Sequence, residues 1–503
     1  MRFAYQLNQN LPKAAWCATI VKDSDIVEVE VGVAVELKPE FFVSGVWAGN
    51  FNDGNFVDAD FVCCTGGKVK KCKRGGVVFS TPSHMLESIY AIKSQDKIFL
   101  SNSIAFLLER SGNDLSDDYL DYQIDMCSSL FGQEKQILSS PLKSGEQLLY
   151  FRGCNLEISK TLEIMANRKS SKYLFCNYNA YFRTIENTMK MLYDNAVSVG
   201  RKIKIGSITT ISSGYDAVAA SVLARSAGCN RALTFNTPEQ YKADCGSDIA
   251  RILGYNDIIE CDAQRYIYAS PPVEAACMAT GDVGTSIVFA AYSNYFENSM
   301  IFMGSRGDSL WERNHANINN NQDFAYGNTL QQTSHPFVEI ALDHNAFFVP
   351  VPMIGADKWL EISRISQSEE MKAYSIREEY DRPIPRRIAE TAGVPREIFG
   401  RVKAGAGISY HFDTFKRIIG KMSVESAHSL RNYKKKYKPS KYKMMKQSLK
   451  FYKNEFPVYM NYLFTRLHIP VRIKKRDTYI SSPLSALLIN WSIDCMRLKY
   501  KHK

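Results

Sequence analysis

Apolar and polar positions alternate with period two along Asp25-Ile26-Val27-Glu28-Val29-Glu30-Val31, and further short runs follow between turn signals at 41–43, 55–63, 77–79 and 97–100. This spacing predicts strands, and residues 1–165 read as a β-rich domain. A short helix at 103–110, a longer one around 117–130 and a hairpin-like stretch at 147–158 complete it, with the polar stretch 166–172 as a linker. Beyond the linker the period changes. A helical segment at 181–199 precedes an apolar strand at 205–211, a glycine turn and a helix at 216–227 ended by Gly228. Strand 232–235, helix 247–253 ended by Gly254, and strand 257–260 repeat the pattern, and strand 300–303 runs into a second glycine turn at 304–308. Strands alternating with helices in this way build a doubly wound parallel sheet that takes its ligand at the carboxyl ends of the strands. The fold class expected is therefore α/β, with a β-rich domain at 1–165 and a parallel-sheet domain over 175–503.

The chemistry concentrates in the two glycine turns. In Ser212-Ser213-Gly214-Tyr215-Asp216 a loop of small residues joins a strand to a helix, so its backbone N–H groups and the helix N-terminus suit an anion. Asp216 adds a carboxylate where phosphates would crowd negative charge, which makes sense for a residue holding Mg²⁺ against them. An N-cap aspartate after an ordinary turn reads the same loop equally well. Other nucleotide motifs fail: no Walker-type G-x-x-x-x-G-K-[ST] exists, and Gly66-Gly67-Lys68-Val69 lacks the hydroxyl after lysine.

The strand, the loop 212–217 and the following helix resemble the S-G-G-x-D-S pyrophosphate loop of ATP pyrophosphatases, and more particularly the synthetase domain of glutamine-dependent asparagine synthetases. Gly304-Ser305-Arg306-Gly307-Asp308-Ser309 lies where that family has S-G-E-G-x-D-E, and Arg401-Val402-Lys403-Ala404-Gly405 is similar to its R-x-K-x-G. The first domain resembles the family's class II amidotransferase domain, of Ntn type, at 101–108 and 141–146. The resemblance implies a PP-loop (HUP-like) fold that binds ATP and Mg²⁺. It implies that Ser212, Ser213, Gly214 and Gly304 cradle pyrophosphate, that Asp216 and Asp308 hold the metal, and that Lys403 acts with them in catalysis by neutralising charge on the leaving group.

The departures from the family pattern shape the expected activity. A class II glutaminase needs an N-terminal cysteine, whereas position 2 is Arg2 and the first cysteine is Cys17. The chain thus resembles the β-lactam synthetases and lasso-peptide cyclases, which keep the domain and lack that nucleophile. Ser213, Ala217, Ser305, Arg306 and Ser309 replace family residues. Two functions follow: a ligase that activates a small-molecule or peptide carboxylate as an acyl-adenylate for attack by an amine or ammonia, or a non-catalytic relative that binds a partner protein or anionic polymer.

Composition then adds a charge asymmetry. Residues 401–503 hold 24 Lys+Arg against 5 Asp+Glu, so the net +11 of the 503-residue chain resides in the C-terminal fifth. A basic region at 415–503, with Tyr433, Tyr437 and Tyr442 among its lysines, suits either an anionic partner or a solvated helix face. The 12 cysteines are scattered, and Cys63, Cys64 and Cys72 lack zinc-ligand spacing. No apolar run reaches a membrane span and no secretory h-region opens the chain, so a cytoplasmic protein without a transmembrane segment is expected.

Overall fold

The computed structural model describes residues 1–70, 76–127, 137–284, 287–313, 337–376, 380–400, 408, 410, 413–473 and 480–501. Two sheets stack in the first domain. One runs in the order Arg2–Leu7, Ile26–Val31, Trp16–Val21, Lys97–Ser101, Ile89–Lys93, Gln147–Phe151, Ile137–Pro141. The other runs Ile164–Arg168, Cys154–Ile158, Gly76–Ser80, Val62–Lys70, Phe41–Trp47, Glu36–Leu37. Alternation along Trp16–Val21 explains the layering. Trp16 and Ala18 enter the core between the sheets, where the Trp16 ring lies 5.1 Å from Phe42 and 5.9 Å from Phe79. Cys17 faces the opposite layer, beneath helix Ile104–Ser111, which Ser103 caps by accepting from the Phe106 N–H.

The structure departs from expectation at 55–63, where turns lead into a strand that begins only at Val62. Gly54 ends a 3-10 turn in the left-handed region, and a Cβ there would meet the Phe41 ring at 2.5 Å. Phe56 and Phe61 are buried from turns rather than by strand alternation. Gly66 and Gly67 sit inside the strand, where a Cβ on Gly66 would lie 2.2 Å from the Phe42 carbonyl oxygen. They serve close strand packing. Part of the expected linker is an edge strand, Ile164–Arg168.

In the second domain, helix Tyr178–Ala196 begins where the Asn177 side chain accepts from the Ala180 N–H and buries Tyr181, Ile185, Met189, Leu192 and Ala196. Five strands, all parallel, form the sheet in the order Asp257–Asp262, Arg231–Thr237, Gly206–Thr210, Ser299–Met303, Phe347–Pro350. The chain order reverses between Gly206–Thr210 and Ser299–Met303, so a crevice opens at their carboxyl ends. The apolar helix Pro483–Arg497 is core, packed against Ile104–Ser111 and Glu274–Met278. Near it, buried Glu339 accepts from Ser103 Oγ at 2.6 Å and Tyr500 Oη at 2.7 Å, which ties the C-terminal segment to both domains. No helix among the described residues is long and apolar enough to cross a membrane.

Candidate active site at the carboxyl ends of the parallel strands

Two chain segments meet at the crevice because two glycines let them touch. After the central strand, Ile211 donates its N–H to the Leu233 carbonyl at 2.9 Å, and the chain turns through Ser212, Ser213 and Gly214 into helix Tyr215–Ser226. The turn after Ser299–Met303 lies directly against the start of that helix. A Cβ on Gly304 would sit 2.4 Å from the Asp216 carbonyl carbon, and one on Gly307 would sit 2.4 Å from Asp216 Cγ. Arg306 takes a left-handed conformation, φ 73°, to complete the turn. Side-chain-free positions at 304 and 307 thus bring Asp216 and Asp308 to one cavity wall.

That cavity encloses about 390 Å³. Leu233, Phe235, Phe289 and Phe337 line an apolar part, with the Phe235 and Phe289 rings 4.8 Å apart and edge-on. Ser212, Asp216, Ser305, Asp308, Asp244 and Arg382 line the polar part. An aromatic wall beside hydrogen-bonding and ionic groups suits a ligand with a flat ring at one end and charge at the other. Among the described polar residues, three carboxylates face one guanidinium. A phosphate-bearing ligand is therefore repelled unless a cation accompanies it, and hard oxygen donors on Asp216 and Asp308 fit Mg²⁺, which is commonly held by one or two carboxylates plus substrate phosphates. Among the described residues no group of three or more His, Cys, Asp and Glu side chains is placed to hold a metal ion by itself.

Of the residues singled out from sequence, Ser212, Gly214, Asp216, Gly304 and Asp308 all line the cavity. Ser213 points elsewhere: its N–H donates to the Asp244 carbonyl at 3.0 Å and its hydroxyl to Asp244 Oδ1 at 3.0 Å. Burial raises the Asp244 carboxyl above its ordinary value, against hydrogen bonds from Ser213 and Ser212 that lower it. Gly214 donates its N–H to Ser212 Oγ at 3.2 Å. Lys403 lies outside the described residues. Gly400, three residues before it, donates its N–H to the Ser213 carbonyl at 2.8 Å, and a Cβ there would lie 2.4 Å from the Tyr215 ring.

Sequence reasoning missed Arg382. Its guanidinium is buried, pairs with Asp216 Oδ2, stands 3.6 Å from Glu312 and lies over the Tyr380 ring at 4.8 Å. Burial opposes its charge, but Asp216, Tyr380 and Asp308 outweigh burial and raise its pKa. Arg382 precedes Pro383, at the start of helix Pro383–Thr391, and lies 166 positions from Asp216. No local pattern announces so distant a pairing. Asp244 and Tyr241 come from the 3-10 segment Glu239–Asp244, whose polar residues read as an ordinary loop.

No protein-family model and no curated protein matches this chain.

Proposed function

We propose that the protein is an AMP-forming carboxylate–amine ligase of asparagine-synthetase type. In this reading its second domain is a PP-loop domain and its first an amidotransferase-like domain without a nucleophile. The single observation that supports it most is the convergence of Asp216 and Asp308, from two separate strand-end turns, on a cavity with an aromatic wall. ATP is then a substrate, with its ring against Phe235 and Phe289 and its phosphates toward Ser212, Ser305 and the two aspartates. Mg²⁺ held by Asp216 and Asp308 would supply charge neutralisation for the phosphates. Gly304 and Gly307 set the spacing of the two carboxylates, and the Arg382 guanidinium fixes the orientation of Asp216 while adding positive charge near the reacting phosphate. In this proposal Lys403 takes the role of neutralising the leaving pyrophosphate.

The first domain fits a binding role rather than glutamine hydrolysis. In this proposal Arg2, exposed on the edge strand Arg2–Leu7, takes no part in glutamine hydrolysis. The nitrogen donor in this proposal is an amine or free ammonia.

A second reading, a non-catalytic relative, has one observation in its favour: the Asp216 carboxylate is already engaged by Arg382. Product analysis separates the two. The ligase binds Mg-ATP and releases AMP and pyrophosphate in equal amounts once its carboxylate and amine are supplied, whereas the non-catalytic form releases neither and needs no Mg-ATP binding. Release of ADP and phosphate would overturn the ligase assignment.

A further inference from the structure

The basic region after residue 413 is anchored to the body. Buried Glu274 accepts from the Ser423 N–H at 2.5 Å and the Ser426 hydroxyl at 2.8 Å. Asp117 and Asp118 accept from the N–H groups of Lys438 and Ser440 at 3.1 and 2.7 Å. Helix Lys441–Arg466 then lies on the protein through Gln447, Phe451, Asn454 and Glu455. Its opposite face is the anomaly. Tyr442, Met445, Leu449, Tyr452, Phe456 and Tyr459 recur at alternating steps of three and four, which places them on one stripe about 26 Å long. All six are 47–66% exposed. A helix on a soluble surface ordinarily turns such a stripe inward, and a contiguous exposed one marks an interaction site.

Charge identifies the occupant. From Ser426 to Asn454 the chain carries ten Lys+Arg and no Asp or Glu. Lys446, Lys450 and Lys453 project along one edge of the stripe, are exposed, and form no ion pair among the described residues. Two copies of this helix facing each other would bring like-charged rows together, and Met445 and Leu449 offer no ring for stacking on bases. Lysines that reach past an apolar stripe carrying tyrosines match the boundary between acyl chains and anionic headgroups.

We propose that helix Lys441–Arg466 docks the protein on an anionic membrane surface, lying in the plane of the interface with the stripe inserted and the lysines on lipid phosphates. This assignment is independent of the ligase reading. It gives the protein a site at the bilayer surface.

Flotation of the full-length protein with vesicles tests it. Binding is expected to vesicles of phosphatidylcholine with 30% phosphatidylglycerol, with little to phosphatidylcholine alone, and is expected to fall at least tenfold between roughly 0.1 and 0.5 M salt. Changing Lys446→Glu, Lys450→Glu and Lys453→Glu together should lower partitioning by about 100-fold. Leu449→Ser with Phe456→Ser should lower it at least tenfold, with the thermal melt unchanged because the side chains are exposed. Equal binding to both vesicle types, or none to either, would overturn the proposal. A vesicle-free dimer abolished by Leu449→Ser and Phe456→Ser would assign the stripe to a second copy instead. Binding of single-stranded RNA that survives those two changes, without vesicle binding, would assign the lysines to nucleic acid.

Discussion

Adding one methyl group at Gly304 probes the packing that brings Asp216 and Asp308 together. The new Cβ would lie 2.4 Å from the Asp216 carbonyl carbon, 2.5 Å from its oxygen and 2.7 Å from the Ala217 nitrogen. All three are backbone atoms, so no rotamer change relieves the clash. Non-bonded carbons rest at about 3.5 Å or more, and the turn and the helix start must therefore separate by roughly 1 Å. Gly304 has no left-handed φ, so the whole effect comes from space rather than from backbone strain. Overpacking of this kind costs about 1–3 kcal/mol, and the immobility of the opposing atoms places Gly304→Ala near the top of that range. Gly420 is the control: a Cβ there meets nothing within 4 Å, and Gly420→Ala should be neutral or stabilise by about 0.5 kcal/mol. Urea denaturation followed through the fluorescence of the buried tryptophans reads the stability, and calorimetric titration with Mg-ATP reads the site. Separation of the two carboxylates by about 1 Å should weaken Mg-ATP binding at least tenfold and any turnover by about 100-fold. A Gly304→Ala protein with wild-type stability and wild-type binding would refute the contact between the two turns.

Other perturbations test neighbouring parts of the site and the body. Arg382→Met leaves the Asp216 carboxylate without its guanidinium; because the Asp216 side chain keeps 19% of its exposure, the cost should be about 2 kcal/mol rather than the 3–5 typical of fully buried pairs, read as a lower urea midpoint. Lys403→Ala should lower kcat by about 10² to 10³ with Mg-ATP affinity changed only a few-fold, and unchanged kcat would detach 401–405 from the site. Burial holds the His84 imidazole down from its ordinary 6.5 to about 3. Because the folded value is depressed, the His84 contribution to stability is complete above pH 6.5 and is lost as pH falls, by about 2 kcal/mol at pH 5, against an opposite trend from neighbouring Glu87, whose carboxyl burial pushes up to about 8. Thermal melts of wild type and His84→Gln between pH 7.5 and 5 should show a steeper acid loss in the wild type, and parallel curves would show that His84 titrates normally.

Periodicity made much of the fold legible. The alternating run at 25–31 and the strand–turn–helix units at 205–227 and 232–253 correspond to elements of the structure because each buries one face, or is wholly buried, and its composition records that. The short strands Trp16–Val21 and Ile89–Lys93 escaped notice because both faces of their sheet are covered, which erases alternation. Within the site, small residues beside an acid marked Ser212, Gly214, Asp216, Gly304 and Asp308, since close backbone approach demands glycine and leaves a local signature. Arg382 and Asp244 left none. Their positions depend on tertiary contacts across 166 and 31 positions, and Ser213 is turned from the cavity by the second of these. The exposed stripe on Lys441–Arg466 has the same heptad spacing as a buried one, so only its exposure sets it apart.

Titration of the purified protein with Mg-ATP, alongside Asp216→Asn, decides whether the crevice between the two strand-end turns is a nucleotide site. Saturable one-to-one binding that requires Mg²⁺ is expected, weakening at least tenfold in Asp216→Asn, whose melting point without nucleotide falls because buried Arg382 loses its partner. Absence of binding up to millimolar Mg-ATP, or equal binding by the variant, would contradict it.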